Sequence, residues 1–505
     1  MDVVFVASEA VPFAQTGGLA DVIGSLPAAL NRLGVNVSLV LPCYREVWWR
    51  SGQEIESTGH SIRVDLSGRS VQARVLRSEL PHSRVPVYLI DQPCYFDRDQ
   101  LYTGPDGRDF PDNAERFAFF CRAALEWLSE RGPAPDVIHV HDWQAGLIPA
   151  ELSESYRERF PETSSLLTVH NLAYQGLFDP SILPLTGLDP SDFAQEGVEF
   201  YGRVSYLKAG LVRADRLSTV SPTYAREIQT LEYGCGLDGV LRSRAADLRG
   251  IVNGIDSNVW NPAREPMLAR RYTVDDVEEG KAACKRAIQE IAGLPQRPDV
   301  PLFAQIGRLD PQKGWDLVLA VADDLLRADV QFLILAQGQP RFHAELQRLA
   351  LRYPGNLRIF LEFSQNLAHQ IEAGADLFLM PSLYEPCGLN QLYSLAHGTI
   401  PIVRATGGLA DTVVDANPTT LSGGTATGIV FQDPTPEAFL RAIERAVALW
   451  RDRPQRMKVI TNGMRADWSW DRSAREYLAL YDEMSRSPRC RRESRSQELA
   501  FPAWR

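Results

Sequence analysis

The stretch that decides the fold is Arg308-Leu-Asp-Pro-Gln-Lys-Gly314, answered further along by Glu385-Pro-Cys-Gly-Leu-Asn-Gln391. Each piece sits where an apolar run ends and a helical pattern begins. Pro301–Ile306 reads as a buried strand, followed by two cations, Arg308 and Lys313, and then a helix over Trp315–Leu326. Asp376–Pro381 reads as a second buried strand, followed by an acid, a Pro suited to a first helical turn, a Gly and a helix over Asn390–His397. A strand end feeding a helix N-terminus is where α/β proteins hold anions and sugars, because unpaired N–H groups and the positive helix end face the crevice. Two cations on one such end and a carboxylate on the next suggest a diphosphate beside a polyol, which is the outline of a nucleotide-sugar.

Outward from this pair, the strand–helix rhythm continues. Helices are expected over 342–352, 366–373 and 436–450, and strands over Val330–Ala336, Leu357–Leu361, Ile400–Arg404 and 428–431. Gly407-Gly408 introduces a second glycine pair. Asp471–Met484 reads as an amphipathic helix, and the Arg- and Ser-rich stretch 485–505 as a disordered tail. Toward the N-terminus, Val3–Ala7 is a strand, and Gly17-Gly18 opens a helix that Gly34 stops. Val35–Leu41 follows as the next strand. The glycine pair either lets backbone approach a phosphate or makes a tight turn. Strands are expected at Arg69–Leu76, Val85–Asp91, Val137–His141, Leu166–Val169, Leu217–Val220 and Arg249–Val252, with helices over Asn113–Glu130 and Tyr206–Ala214. Tyr95–Pro111 reads as a loop, and Asn261–Pro301, rich in charge and Pro, as a linker with one short helix.

The chain is therefore an α/β protein of two Rossmann-like domains, at 1–252 and 253–470, with the terminal helix returning to the first. Facing each other, they would enclose a cleft lined by strand ends.

The bulk numbers exclude other classes. A net charge of −11 over 505 residues disfavours a nucleic-acid or membrane-surface protein. No apolar run approaches the roughly 18 residues that span a bilayer. The chain starts directly into a strand, so no leader peptide is expected. The cysteines (Cys43, Cys94, Cys121, Cys235, Cys284, Cys387 and Cys490) form no CxxC pair, which points to a reducing cytoplasm.

Several clusters have two readings. Arg308 and Lys313 are a diphosphate clamp or a solvated pair. Glu385 is a ligand group or an acid placed by the helix dipole. Cys387 lacks a sequence-adjacent His and reads as a backbone position rather than a nucleophile. His139, His141, Asp142 and His170 invite a metal, but their spacing matches no zinc rule. They read better as Asp142 and His170 at strand ends reaching a ligand, with His139 packed beneath. The remaining histidines, including His369 and His397, read as surface or core residues. No metal and no cofactor are expected.

Taken in order, Ser8-Glu9, Thr16-Gly-Gly-Leu-Ala-Asp-Val22, His141-Asp-Trp143, Thr168-Val-His-Asn-Leu-Ala-Tyr-Gln-Gly176, Thr219-Val-Ser-Pro-Thr-Tyr-Ala-Arg-Glu-Ile228, Asn253-Gly-Ile-Asp256, Gly307-Arg-Leu309, Gln312-Lys-Gly314 and Glu385-Pro-Cys-Gly-Leu389 closely resemble the bacterial glycogen synthase and plant starch synthase family. The likeness runs from Met1 to about Met484. It implies a GT-B glycosyltransferase that moves glucose from ADP-glucose to the 4-OH at the non-reducing end of an α-1,4-glucan, with retention and without a metal. It further implies that Arg308 and Lys313 hold the pyrophosphate and that Glu385 binds glucose and supports charge at the anomeric carbon. The amides of Gly388 and Leu389 would extend that contact, and that of Gly18 would meet the phosphates. His170, Asp142 and Asn253 would hold the glucose. Gln15, Gly17, Asp21, Asn171, Phe363 and Cys387 complete the expected substrate-binding set, Phe363 standing where the family usually has a Tyr beside the base.

The chain departs from the family at Gln15, where a Lys is usual. Losing one charge-assisted contact costs about 1.5–3 kcal/mol, a tenfold to hundredfold effect at roughly 1.4 kcal/mol per decade. The expectation is weaker donor binding or a changed donor. Asn390, where Thr is common, is a milder change. The alternatives are a weakly active glucan-binding paralogue, or a related transferase with another donor or acceptor.

Overall fold

A computed structural model describes residues 1–362 and 364–486. The chain divides into two compact units. Among the described residues, the first holds 1–220, 225–254 and 470–486, and the second holds 221–224, 255–362 and 364–469.

The first unit is built on a nine-stranded sheet. Its order is 248–250, 216–219, 164–169, 137–141, 2–6, 36–42, 86–91, 69–79 and 56–66. All neighbours from 248–250 through 86–91 run parallel, and 69–79 and 56–66 add an antiparallel edge. Val3, Val4, Phe5 and Val6 are wholly buried, as an apolar run in a sheet covered on both faces must be. From Asp2–Val6 the chain builds outward through 36–42 and 86–91. It then returns to lay 137–141 on the other flank. The order therefore reverses at Asp2–Val6 and Val137–His141, and the loops leaving those two strands bound the crevice where such sheets bind ligands. Helix Trp470–Arg486 packs on helix Gly18–Arg32, burying Tyr477 and Tyr481.

The second unit has an all-parallel six-stranded sheet, ordered 357–360, 331–338, 302–309, 377–380, 400–404 and 429–431. Here the order reverses between Leu302–Leu309 and Leu377–Met380, which places the Arg308–Gly314 and Ser382–Gly388 loops side by side. Trp315, fully buried, anchors the following helix and donates its Nε1–H to the Arg308 carbonyl at 2.7 Å.

Several elements differ from the sequence reading. Asn261–Pro301 is not a linker. Helix Val277–Ile291 spans much of it and buries Val277, Cys284 and Ile288 in the second unit's core. Its charged surface had hidden the apolar stripe. Lys281 within it gives all three ammonium protons to Ala373 O, His397 O and Thr399 Oγ1, so a buried cation serves as a tie between elements. The edge strand Glu56–Leu66 was missed because its first half is polar and interrupted by Gly59. Helix Arg453–Arg465 and a small sheet of 177–178, 203–205 and 199–200 were also missed, and Pro93–Phe96 forms a helical turn that runs into the start of the expected loop. The stretch 487–505, which contains Cys490 and almost all of the expected tail, lies outside the described residues.

Candidate functional site

In the first unit the loop after Asp2–Val6 is organised by Glu9. Its Oε1 accepts from Thr16 Oγ1 at 2.7 Å and from Tyr102 OH at 2.6 Å. Its Oε2 accepts from the amides of Thr16 and Gly17. Burial raises the Glu9 carboxyl, and these bonds act against that rise. Two amides of the glycine loop are therefore already occupied by a protein carboxylate. Gly17 caps helix Gly18–Arg32 without a side-chain bond, and a Cβ at Gly17 would meet nothing within 4 Å. The space above the loop is open to a ligand. Asp21, in the first helical turn, is pushed up to about 7 by burial and by the charge of Glu9, with Gln15 and Arg50 pulling the other way. Gln15 spans the loop mouth. Its Nε2 reaches toward Asp21 at 3.4 Å, and its Oε1 accepts from Arg50 at 3.0 Å.

The neighbouring strand end carries the histidines. Asp142 sits at φ 54°, ψ −168°, a conformation that costs a non-glycine residue about 1–3 kcal/mol and is typical of functional loops. Its Oδ1 accepts the His170 amide at 2.7 Å. Burial drives its carboxyl up to about 7, against the lowering effect of the His170 and Asn171 amides. His170 is held down to about 3 by burial, so its ring is neutral at physiological pH. The His170 ring meets His141 Nδ1 at 3.0 Å. His139 lies one layer deeper, between Tyr481 OH at 2.7 Å and Thr168 Oγ1 at 2.6 Å. Asn253 is buried, and its Oδ1 has no hydrogen-bond partner among the described residues; the same holds for His141 Nε2. An orphaned buried amide oxygen is costly unless something polar comes to it. Asn171 makes a local turn, accepting the Ala173 amide at 3.1 Å.

In the second unit Lys313 Nζ lies 2.7 Å from Glu385 Oε2, which also accepts from Ser382 Oγ at 2.9 Å. Glu385 is buried. Asp310 caps the turn Pro311–Lys313, accepting the Gln312 amide. Gly314 follows at φ 72°, where a Cβ would fall 2.1 Å from Pro381 O. That glycine therefore lets the cationic loop close on the acidic one. Arg308 is exposed at the strand end. Gly388 has φ 73°, and a Cβ there would meet Gln391 Oε1 at 2.5 Å. Asn390 opens the next helix and donates to Ile306 O at 2.8 Å, tying the two strand-end loops together. Cys387 is buried. Phe363 lies outside the described residues.

The second glycine pair serves the site directly. A Cβ at Gly407 would fall 1.9 Å from Glu385 O, and one at Gly408 2.1 Å from Cys387 O. The Gly408 amide donates to Glu385 O at 3.1 Å. These glycines, with Glu9, Tyr102, Arg50 and Ser382, were not singled out as site residues. Glu9 and the repeated glycine pair left a trace in the sequence, but Tyr102, Arg50 and Ser382 did not.

The residues read as site members divide between the two units. Gln15, Gly17, Gly18, Asp21, Asp142, His170, Asn171 and Asn253 belong to the first unit, and Arg308, Lys313, Glu385, Cys387, Gly388 and Leu389 to the second. Apart from these residues, Glu265, His369 and His397 bring three ligand-capable atoms within 4.8 Å, the one such group among the described residues. Each of the three is hydrogen-bonded within the group.

Two doubly wound units, with glycine-bearing loops at their switch points and a paired lysine and carboxylate, have the architecture of a GT-B glycosyltransferase. The solved structure of sucrose-phosphate synthase from Thermosynechococcus elongatus shares this fold, with a TM-score of 0.59 at 18% identity over 96% of this chain and 98% of that one. Residues 2–243 match the family described as starch synthase catalytic domain, and residues 288–465 match glycosyl transferases group 1. Glycogen synthase of Rhodopirellula baltica is 45% identical over 95% of this chain and 97% of its own length. Glycogen synthase 1 of Methylococcus capsulatus is 46% identical over 96% of each. The catalytic domain of Starch Synthase IV from Arabidopsis thaliana, solved bound to ADP and acarbose, superposes with a TM-score of 0.89 at 32% identity, covering 96% of this chain and 99% of that one. The chain belongs to the glycogen synthase and starch synthase family.

Proposed function

We propose that this enzyme transfers glucose from ADP-glucose to the 4-OH at the non-reducing end of an α-1,4-glucan, with retention of anomeric configuration. The observation that carries the reading is the likeness, over nearly the whole chain, to a starch synthase holding ADP and acarbose, a nucleotide and an oligosaccharide mimic. The Lys313–Glu385 pair supports it, because the donor end needs a fixed cation beside a sugar-binding acid.

Arg308 and Lys313 hold the pyrophosphate and offset the charge that grows on departing ADP. Fixed charges placed where charge develops are worth roughly 2.7–4 kcal/mol each in a dry site. Glu385 binds glucose hydroxyls and supports positive charge at the anomeric carbon. Its Oε2 is already held by Lys313 and Ser382, which suits an electrostatic partner better than a nucleophile. Attack by the acceptor on the same face from which ADP leaves accounts for retention. His170, neutral, offers its ring to a glucose hydroxyl, while Asp142 fixes the His170 backbone and Asn253 Oδ1 accepts a hydroxyl proton. The amides of Gly18, Gly388 and Leu389 complete the contacts. No metal enters this scheme.

We place the protein in the cytoplasm. The six cysteines among the described residues are all free thiols, as a reducing compartment favours. No helix among the described residues is long and apolar enough to cross a membrane.

The test is glucose transfer to glycogen from ADP-glucose and from UDP-glucose, side by side, with Glu385→Ala as control. Turnover with ADP-glucose that vanishes in the control is expected. Glucan binding without turnover from either donor would overturn the reading in favour of a non-catalytic paralogue.

A further inference from the structure

The glycine loop of the first unit is surrounded by acids. Glu9 lies beneath it, Asp21 faces it from the first helical turn, and Glu46 Oε1 accepts the Gln15 amide at 3.2 Å. A diphosphate brought to this loop meets three carboxyl groups, and Gln15 offers it no charge. One cation bonds directly to the loop among the described residues. Arg50, the last residue of the short helix Val47–Arg50, donates from one terminal nitrogen to Gln15 Oε1 at 3.0 Å and from the other to Glu46 Oε2 at 3.1 Å. A guanidinium has five N–H donors, and these two bonds leave three for a ligand. The side chain is 34% exposed and the space over Gly17 is open, so the guanidinium can turn onto an incoming anion without breaking core packing.

We infer that Arg50 is the donor-phosphate cation of the glycine loop. It supplies from a neighbouring helix the charge that position 15 lacks, and Gln15 acts as its bracket. Arg suits this task because its planar fork meets phosphate oxygens bidentately. The inference deepens the ADP-glucose reading and rests on it. It also revises the expectation from sequence, since Gln15 need not weaken the donor while Arg50 is present. An exposed Arg–Glu pair at helical spacing with no ligand role is the plain alternative, and such pairs contribute little.

Full-length wild type, Arg50→Ala, Arg50→Lys, Gln15→Lys and the double variant Arg50→Ala/Gln15→Lys separate the two. Steady-state kinetics with ADP-glucose and glycogen would be combined with ADP affinity by calorimetry. Arg50→Ala is expected to raise the donor KM and weaken ADP by about tenfold to hundredfold, the size of one charge-assisted contact. The glycogen KM should stay put, and Arg50→Lys should recover part of the loss. Gln15→Lys is expected to restore the Arg50→Ala variant. An ADP affinity and donor KM within about twofold of wild type in Arg50→Ala, a factor worth only about 0.4 kcal/mol, would overturn the inference. So would a loss confined to the glycogen KM. If wild type turns over neither donor, the ADP-glucose reading fails, and the ADP titrations of the same variants still decide whether Arg50 holds phosphate.

Discussion

Lys313 Nζ and Glu385 Oε2 stand 2.7 Å apart, joined across two loops that leave adjacent strands of one parallel sheet. The carboxylate is buried and the ammonium is partly exposed. Taking the Lys away leaves the buried carboxylate held by the Ser382 hydroxyl, and taking the Glu away leaves the Lys ammonium without its carboxylate. We expect Lys313→Ala and Glu385→Ala each to lower kcat by about a hundredfold to a thousandfold, as loss of one fixed charge stabiliser does. The double variant should be little worse than the worse single, since contacting groups are not additive. Single-turnover rates with ADP-glucose and glycogen measure this. Losses that simply multiply would show the two residues acting independently.

The glycine pair Gly407-Gly408 gives a second prediction. A methyl at Gly407 would press on the Glu385 carbonyl at 1.9 Å, and φ there is +45°. Gly407→Ala should therefore displace the Glu385 turn. It should reduce kcat with a stability loss of about 1–3 kcal/mol, the usual range for a strained or overpacked site. Gly355→Ala, where a Cβ would meet nothing within 4 Å and φ is not positive, serves as the control and should leave kcat as in wild type. Equal kcat in the two variants would remove the cradle from the site.

The site was legible where its chemistry lies next to its own strand. Arg308, Lys313 and Glu385 each follow an apolar run by a few residues, and that local pattern is what a parallel sheet imposes on sequence. What was not legible depends on contacts between distant segments. Glu9 reads as one acid in a loop until the fold turns its carboxylate onto the Thr16 and Gly17 amides. Arg50 ends a helical turn too short to show periodicity, and its partner Gln15 lies 35 positions away. The helix Val277–Ile291 was underestimated for a different reason. Its lysines at 281 and 285 suggest solvent, yet both ammonium groups are satisfied inside by carbonyls, Thr399 and Asp376.

We expect Asp21 to make donor binding depend on pH. Its carboxyl titrates near 7 because burial and the Glu9 charge oppose ionisation. Below that value it is neutral and does not repel a diphosphate. Above it, the loop gains a negative charge. The KM for ADP-glucose should therefore rise between about pH 6 and 8, within a tenfold span for one partly screened charge. Asp21→Asn should flatten the rise. Asp142, also near 7, accounts for any part that remains. A profile identical in wild type and Asp21→Asn would show that Asp21 does not face the donor.

The buried group around Glu265 governs stability rather than chemistry. Its Oε2 meets His369 Nδ1 at 2.8 Å, and its Oε1 meets His397 Nε2 at 2.9 Å and accepts the Asn261 amide at 2.7 Å. The other nitrogen of His397 faces Tyr393 O at 2.8 Å, so the ring can donate at both ends. Trp260 stacks on His369 on one side and on Tyr393 on the other, with centroids 3.8 and 3.6 Å apart. Burial alone would raise the Glu265 carboxyl, but the two histidines outweigh it and hold it down to about 2. The folded state therefore gives up this proton more readily than the unfolded chain, whose carboxyl sits near 4.5. The stabilisation is complete above pH 4.5 and disappears as pH falls through 2. Glu372, close by and pushed up to about 8 by burial, works in the opposite sense above pH 4.5, while Asp247, Asp276 and Glu278 are also held low, so the difference between wild type and a Glu265 variant is what isolates Glu265. Glu265→Gln should cost about 3–5 kcal/mol at neutral pH, the price of breaking a buried pair. It should also flatten the fall in the urea midpoint between pH 4.5 and 2. If wild type and Glu265→Gln lose stability in parallel over that window, the carboxylate is not what the histidines hold in place, and the acid sensitivity of the second unit lies elsewhere.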